Sequence, residues 1–200
     1  MHRRHVTLAA TALALAVTLG ACGDDSGDGS GGTAAAPSTS ASAAVSMPAD
    51  VNDQDSRFAE DMIVHHRQAV EMAELAASRA SDPEVKRLAA GIQAAQAPEI
   101  ETLAGWLTAW GMQPPGEMAG MDHGSMPGMM SDSELAEMSR MTGPEFDEMF
   151  LTMMIEHHEG AVAMAEDERS AGENADVKTF ADTVVADQTA EIARMRALLT

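Results

Sequence analysis

FAEDMIVHHRQAVEMA, residues Phe58 to Ala73, returns 92 residues later as FLTMMIEHHEGAVAMA, residues Phe150 to Ala165. The register persists past the histidines without a gap: Val85-Lys86 falls on Val177-Lys178, Gln96 on Gln188, and Glu99-Ile100 on Glu191-Ile192. A fixed offset over that distance marks an internal duplication. With Met62 set at zero and about 100° per residue, Phe58, Met62, His65, His66, Ala69 and Ala73 fall on one face, and Glu60, Arg67, Glu71 and Glu74 on the other. That pattern is an amphipathic helix, expected over Asp53 to Arg79.

Ser81-Asp82-Pro83 stops and restarts the chain, with Asp82 as N-cap and Pro83 at the first helical position. A second helix to about Trp110 follows, carrying Val85, Leu88, Ile92, Ile100, Leu103, Leu107 and Trp110 at helical spacing; Pro98 inside it predicts a kink. The second copy repeats the plan. Gly143-Pro144 opens a helix to about Ser170, residues 172–174 turn the chain, and Asp176 to Leu199 form the last helix. Ser131-x-x-Glu134 fits a capping box opening a short helical segment before Pro144. Neither hairpin can bury its apolar stripe alone. The expected fold is therefore all-α: a four-helix bundle of two repeated helical hairpins, residues 51–110 and 132–200, about a pseudo-two-fold axis, with a short extra helix and a Met-rich connecting loop over 111–131.

The N-terminal stretch belongs to export. Arg3 and Arg4 precede an apolar run, Leu8 to Leu19, too short to span a membrane as a mature helix, so residues 1–21 are expected to be a signal peptide. Leu19-Gly20-Ala21-Cys22 resembles a bacterial lipobox, which implies that Cys22 is lipidated and that the chain is anchored on the outer face of the cytoplasmic membrane. Cys22 is the only cysteine, so no intramolecular disulfide can form. Residues 22–50, rich in Gly, Ser and Ala, read as a flexible tether. A formal charge of -20 leaves no basic patch for phosphates; nucleic acid is excluded as a partner and cations are favoured.

Four of the seven histidines and four of the seventeen methionines sit at duplicated places, so the repeat itself is rich in soft ligands. Met62-x-x-His65 and Met154-x-x-His157 put a thioether and an imidazole on adjacent turns of one helix; His66 and His158 follow at the i,i+4 spacing. Met72 and Met164 extend the same stripe. Burying four imidazoles without partners would cost on the order of 1 to 3 kcal/mol for each unsatisfied polar group, so each needs a carboxylate, a carbonyl or a metal. Asp61, one turn before His65, is a candidate partner, as are Gln96, Glu99, Gln188 and Glu191 on the second helix of each hairpin. Where di-iron bundles carry Glu-x-x-His, both copies here carry Met, which disfavours iron and favours copper as Cu(I), or another soft ion such as Ag(I). The connecting loop adds Met112, Met118, Met121, His123, Met126, Met129 and Met130 among Gly and Pro, where no single helical face can gather them; they are expected to form a thioether-rich capture arm rather than core.

Asp55-x-x-Phe58, Met62-Ile63-x-His65-His66 and Gln96-x-x-Glu99-Ile100, with their counterparts Asp147-x-x-Phe150, Met154-Ile155-x-His157-His158 and Gln188-x-x-Glu191-Ile192, resemble the domain-of-unknown-function 305 family. The resemblance implies a ferritin-like helical bundle in an exported bacterial protein, and links to copper handling known for some members. It implies no established enzymatic activity. The expected function is sequestration or transfer of Cu(I), with a copper donor or acceptor protein as partner. Two other readings compete: a ferritin-like redox metalloenzyme in which Glu156 or Glu159 moves protons, and a metal-free structural or partner-binding lipoprotein.

Overall fold

The structure, a computed structural model, describes residues 47–116 and 126–200. The expected signal peptide, Cys22 and the expected tether up to residue 46 lie outside the described residues. Five helices follow in order: α1 Asp53–Arg79, α2 Pro83–Ala109, α3 Asp132–Met138, α4 Pro144–Ala171 and α5 Ala175–Leu198. Among the described residues there is no strand, and no helix is long and apolar enough to cross a membrane.

Local chemistry sets the helix ends where the sequence placed them. Asp82 accepts from Glu84 N–H at 2.7 Å, with Pro83 at the first helical position. Ser131 and Glu134 cap each other's backbone at the start of α3. Gly143, at φ +71°, is free to turn into α4 because it has no side chain to strain. Helix α2 continues through Pro98 as one element, although a proline there removes the donor that Ala94 O would otherwise receive.

Helix α1 packs on α2, α4 on α5, and the two hairpins meet through α1 and α4. These two central helices run antiparallel. Asn52 Nδ2 at the start of α1 donates to Ala171 O at the end of α4 at 2.8 Å, and Gly143 N at the start of α4 donates to Arg79 O at the end of α1 at 2.8 Å. Two carboxylates lock the arrangement. Asp55 of α1 accepts from Glu173 N (3.1 Å) and Asn174 N (3.0 Å) in the turn of the second hairpin; Asp147 of α4 accepts from Ser81 N (3.0 Å) and Asp82 N (3.0 Å) in the turn of the first. Under the 92-residue offset these are one contact made twice, so each hairpin's turn is completed by the other hairpin.

The apolar core has two halves. One holds Phe58, Met62, Leu103, Leu107, Ala161, Val177 and Val184; the other holds Phe150, Met154, Met195, Ala69, Val85 and Ile92. The repeat maps most of one set onto the other. Full burial of each large side chain contributes about 1.5–3 kcal/mol. A duplicated, two-fold bundle thus leaves its middle, where α1 and α4 cross, to residues near the helix centres: the histidines.

Candidate metal centre

His65, His66, His157 and His158 are all fully buried. They sit one turn after Met62 and Met154 on the central helices, between the two apolar halves. The rings of His65 and His157 meet across the axis with centroids 3.8 Å apart and planes tilted by 43°. The outer pair is held from the flanking helices: His158 Nε2 lies 2.8 Å from Glu191 Oε2, and His66 Nε2 lies 2.8 Å from Glu99 Oε2. The second of these is an ion-pair contact without hydrogen-bond alignment.

These partners decide where the protons are. A carbonyl or an ionised carboxylate only accepts, so the nitrogen facing it carries the hydrogen and the other nitrogen carries the lone pair. His65 Nε2 donates to Pro127 O at 3.1 Å, which leaves Nδ1 of that ring bare; Glu99 and Glu191 face Nε2 of His66 and His158. Six of the eight ring nitrogens have no aligned hydrogen-bond partner among the described residues, including both of His157, and each such orphan costs about 1–3 kcal/mol. Water would normally relieve that cost, but these atoms are sealed from it.

Charge is equally unwelcome. Burial pushes the His65 imidazole down to about 3, the positive charge of a protonated His66 adding to the effect and the Pro127 carbonyl opposing it. His157 is held well below the usual histidine range, first by burial and then by His65, His158 and His66; the His65 carbonyl lies near it without hydrogen-bond alignment. Both imidazoles at the axis are neutral in the form that binds metals.

The structure gathers the imidazoles and separates the thioethers. Met62 and Met154 are fully buried, but in opposite halves of the core, because antiparallel helices carry residues one turn before the axis to opposite sides of it. Met72 is buried in apolar core, and its counterpart Met164 is partly exposed beside Gln54, Arg57, Asp61 and Asp167. Asp61 is not a partner of His65; it lies half-buried near Arg57, its carboxyl pushed up by burial. Gln96 and Gln188 are buried with orphaned amide atoms, both on Gln96 and the oxygen on Gln188. Among the described residues no three His, Cys, Asp or Glu side chains form a group able to hold an ion.

The connecting loop corrects one expectation. Met130 is fully buried in the core and Met112 packs on the other core half, so packing does account for these two. Met126 and Met129 are partly exposed, and Met118, Met121 and His123 lie outside the described residues. The loop's last turn presses on the site. Gln68 exchanges two hydrogen bonds with the Met130 backbone, at 2.9 and 2.8 Å, and Gly160 lies so close to Pro127 O that a Cβ would overlap it. Gly128, at φ +76°, approaches the backbone of Glu156 and His157 as closely. Gln68, Gly160 and the Pro127 carbonyl were not read from the sequence as site residues. Their signal is a break in the repeat: position 68 is Gln in one copy and its partner, position 160, is Gly.

Residues 55–199 match the family described as Domain of unknown function (DUF305). A DUF305 protein of Streptomyces coelicolor is 36% identical, with a TM-score of 0.67 over 73% of this chain and 91% of its own. A DUF305 fragment from Deinococcus radiodurans is 34% identical, with a TM-score of 0.67 over 74% of this chain and 97% of its own. CopM in a Cu(II)-bound form is 33% identical, with a TM-score of 0.64 over 72% of this chain and 95% of its own; CopM is also solved bound to Cu(I) and to silver. No curated protein matches the chain.

Proposed function

The chain belongs to the DUF305 family, and from that premise we propose that it is an extracytoplasmic, lipid-anchored protein that binds copper as Cu(I) through Met and His ligands and sequesters it or passes it on. The observation that carries this reading is the buried layer of four histidines, neutral at the axis, with six ring nitrogens unpartnered among the described residues. Bare Nδ1 lone pairs and thioethers one turn away suit a soft ion of low coordination number. In the binding role, His65 and His157 approach from the two sides of the axis, Met62 and Met154 offer sulfur above and below, and Glu99 and Glu191 fix the tautomers of His66 and His158. Met118, Met121, His123, Met126 and Met129 form the capture arm. CopM, a family relative with Cu(I), Cu(II) and silver complexes, supports the choice of metal class. Cys22 supplies the anchor, and a copper donor or acceptor protein completes the transfer.

The test is a Cu(I) competition titration with metal analysis on purified protein, repeated on H65Q/H157Q and on a variant with Met118, Met121, Met126 and Met129 changed to Leu. Loss of both imidazoles is expected to weaken binding at least 100-fold, a change of about 2.7 kcal/mol. Unchanged stoichiometry and affinity in H65Q/H157Q would remove the bundle site. Loss only in the loop variant would move binding to the arm.

A further inference from the structure

All four imidazoles of the central layer are fully buried, so an ion in solution reaches them only when part of the protein moves. Two kinds of cover lie over them. The outer pair, His66 and His158, is faced by α2 and α5, helices of 27 and 24 residues seated in the core by side chains such as Leu88 and Leu103 in one and Val184 and Met195 in the other. Over the seam between α1 and α4, against His65 and the His157 backbone, lies the stretch Met126 to Met130, which belongs to no helix.

This stretch is held unevenly. At its far end the Met130 side chain is fully buried, and the Met130 N–H and carbonyl bond to Gln68 at 2.8 and 2.9 Å. Met126 to Met129 are tied to the helices by the hydrogen bond from His65 Nε2 to Pro127 O, 3.1 Å long, and by backbone resting on Gly160. Pro127 itself is exposed, so its outer side is free of packing. Gly128, at φ +76°, puts a residue without a side chain between the loose end and the fixed one. A peptide segment that lifts by breaking such ties opens far more often than a long helix that must leave the core.

We propose that Met126 to Met129 are a gate over the histidine layer, hinged where Gln68 fixes Met130, and that the ion enters and leaves through the seam of α1 and α4 when the gate lifts. The proposal takes from the reading above that the layer holds the ion; the gate itself is a property of the strap. Closing does two things. It shuts out water and competing ligands, and the Pro127 carbonyl keeps the His65 hydrogen on Nε2 and so the lone pair on Nδ1, which makes Pro127 a positioning residue.

The experiment measures two rates in the whole protein. In the metal-free form, exchange of the His65 Nε2 hydrogen with water, followed by ¹⁵N NMR, reports lifting of the gate. In the Cu(I)-loaded form, extraction by bicinchoninate, followed by absorbance, is expected to reach a plateau as chelator concentration rises. G160A puts a carbon where Pro127 O rests and is expected to raise both rates about 10-fold, the factor that one hydrogen bond lost from the closed state supplies. Should G160A fail to fold, P127G, which keeps the carbonyl and loosens the backbone, is expected to raise both about 3-fold. Faster His65 exchange with unaltered extraction would overturn the gate and leave the histidine layer standing. Extraction proportional to chelator without a plateau would put the ion within reach of solvent and overturn the gate as well. Undiminished Cu(I) binding by H65Q/H157Q would bring down the buried site, and the gate with it.

Discussion

His157 has both ring nitrogens buried and without aligned partners, yet it sits against another imidazole. Neutrality alone makes that tolerable. In the unfolded chain both axial histidines take up protons near pH 6.5, whereas in the fold His65 resists until about pH 3 and His157 is depressed likewise. Stability from these groups is therefore complete above about pH 6.5 and falls as acid approaches the folded values, at up to roughly 1.4 kcal/mol per pH unit for each histidine. Glu168 acts in the opposite direction. Burial, then the adjacent Asp55 carboxyl, pushes it up to about 8, so stability declines as pH rises from about 4.5 towards 8. Denaturant midpoints are expected to peak near pH 6; H157Q should flatten the acid limb, and E168Q should flatten the alkaline limb and gain about 1–3 kcal/mol at pH 8. A parent midpoint that does not change between pH 5 and 8 would refute both assignments. The histidines and their carboxylate partners were legible because the duplication printed them twice. Glu168 was not, since its counterpart is Ala76 and a residue present in one copy leaves no periodic trace.

At the level of elements, the connecting loop ends as a strap across α1 and α4. Glycine to alanine inside a helix normally stabilises by about 0.5–1 kcal/mol. At Gly160 the sign reverses, because the new Cβ would strike the Pro127 carbonyl and displace the strap that satisfies His65. G160A is expected to lose about 1–3 kcal/mol, the usual range for forcing an extra carbon into packed surroundings, and to change the His65 ring-nitrogen shifts in ¹⁵N NMR. A stabilised G160A with unaltered His65 shifts would show that the strap does not seat on Gly160. Helix spans, caps and turns were readable because Asp82-Pro83, Ser131-x-x-Glu134 and Gly143-Pro144 are local signals with local causes. The strap was not. Its contacts join residues some 62 apart, such as Gln68 to Met130, and a Met-rich run of Gly and Pro reads as an open arm until the space beside Gly160 is known.

Across the whole molecule, the two-fold arrangement explains why the imidazoles meet while the two thioethers part. A repeated Met-x-x-His motif on antiparallel helices brings together only residues near the axis, and every other repeated pair moves apart with distance from it. Sequence spacing revealed the motif and its partners, while the direction in which the helices cross is a tertiary fact that spacing does not carry. The reciprocal seats of Asp55 and Asp147 have a further consequence. Since each hairpin finishes the other's turn, covalent continuity between residues 116 and 126 is not what holds them together. Protease cleavage in that interval is expected to leave both fragments in one particle by size-exclusion chromatography and native mass spectrometry, and separation of the pieces would refute it. The joint is self-complementary, as a homodimer interface is. An ancestral single hairpin could have met its twin through these same carboxylates, and fusion of the two genes would then have released one copy from symmetry, free to give up its glutamine for glycine and to admit a lid that the other copy has no room for.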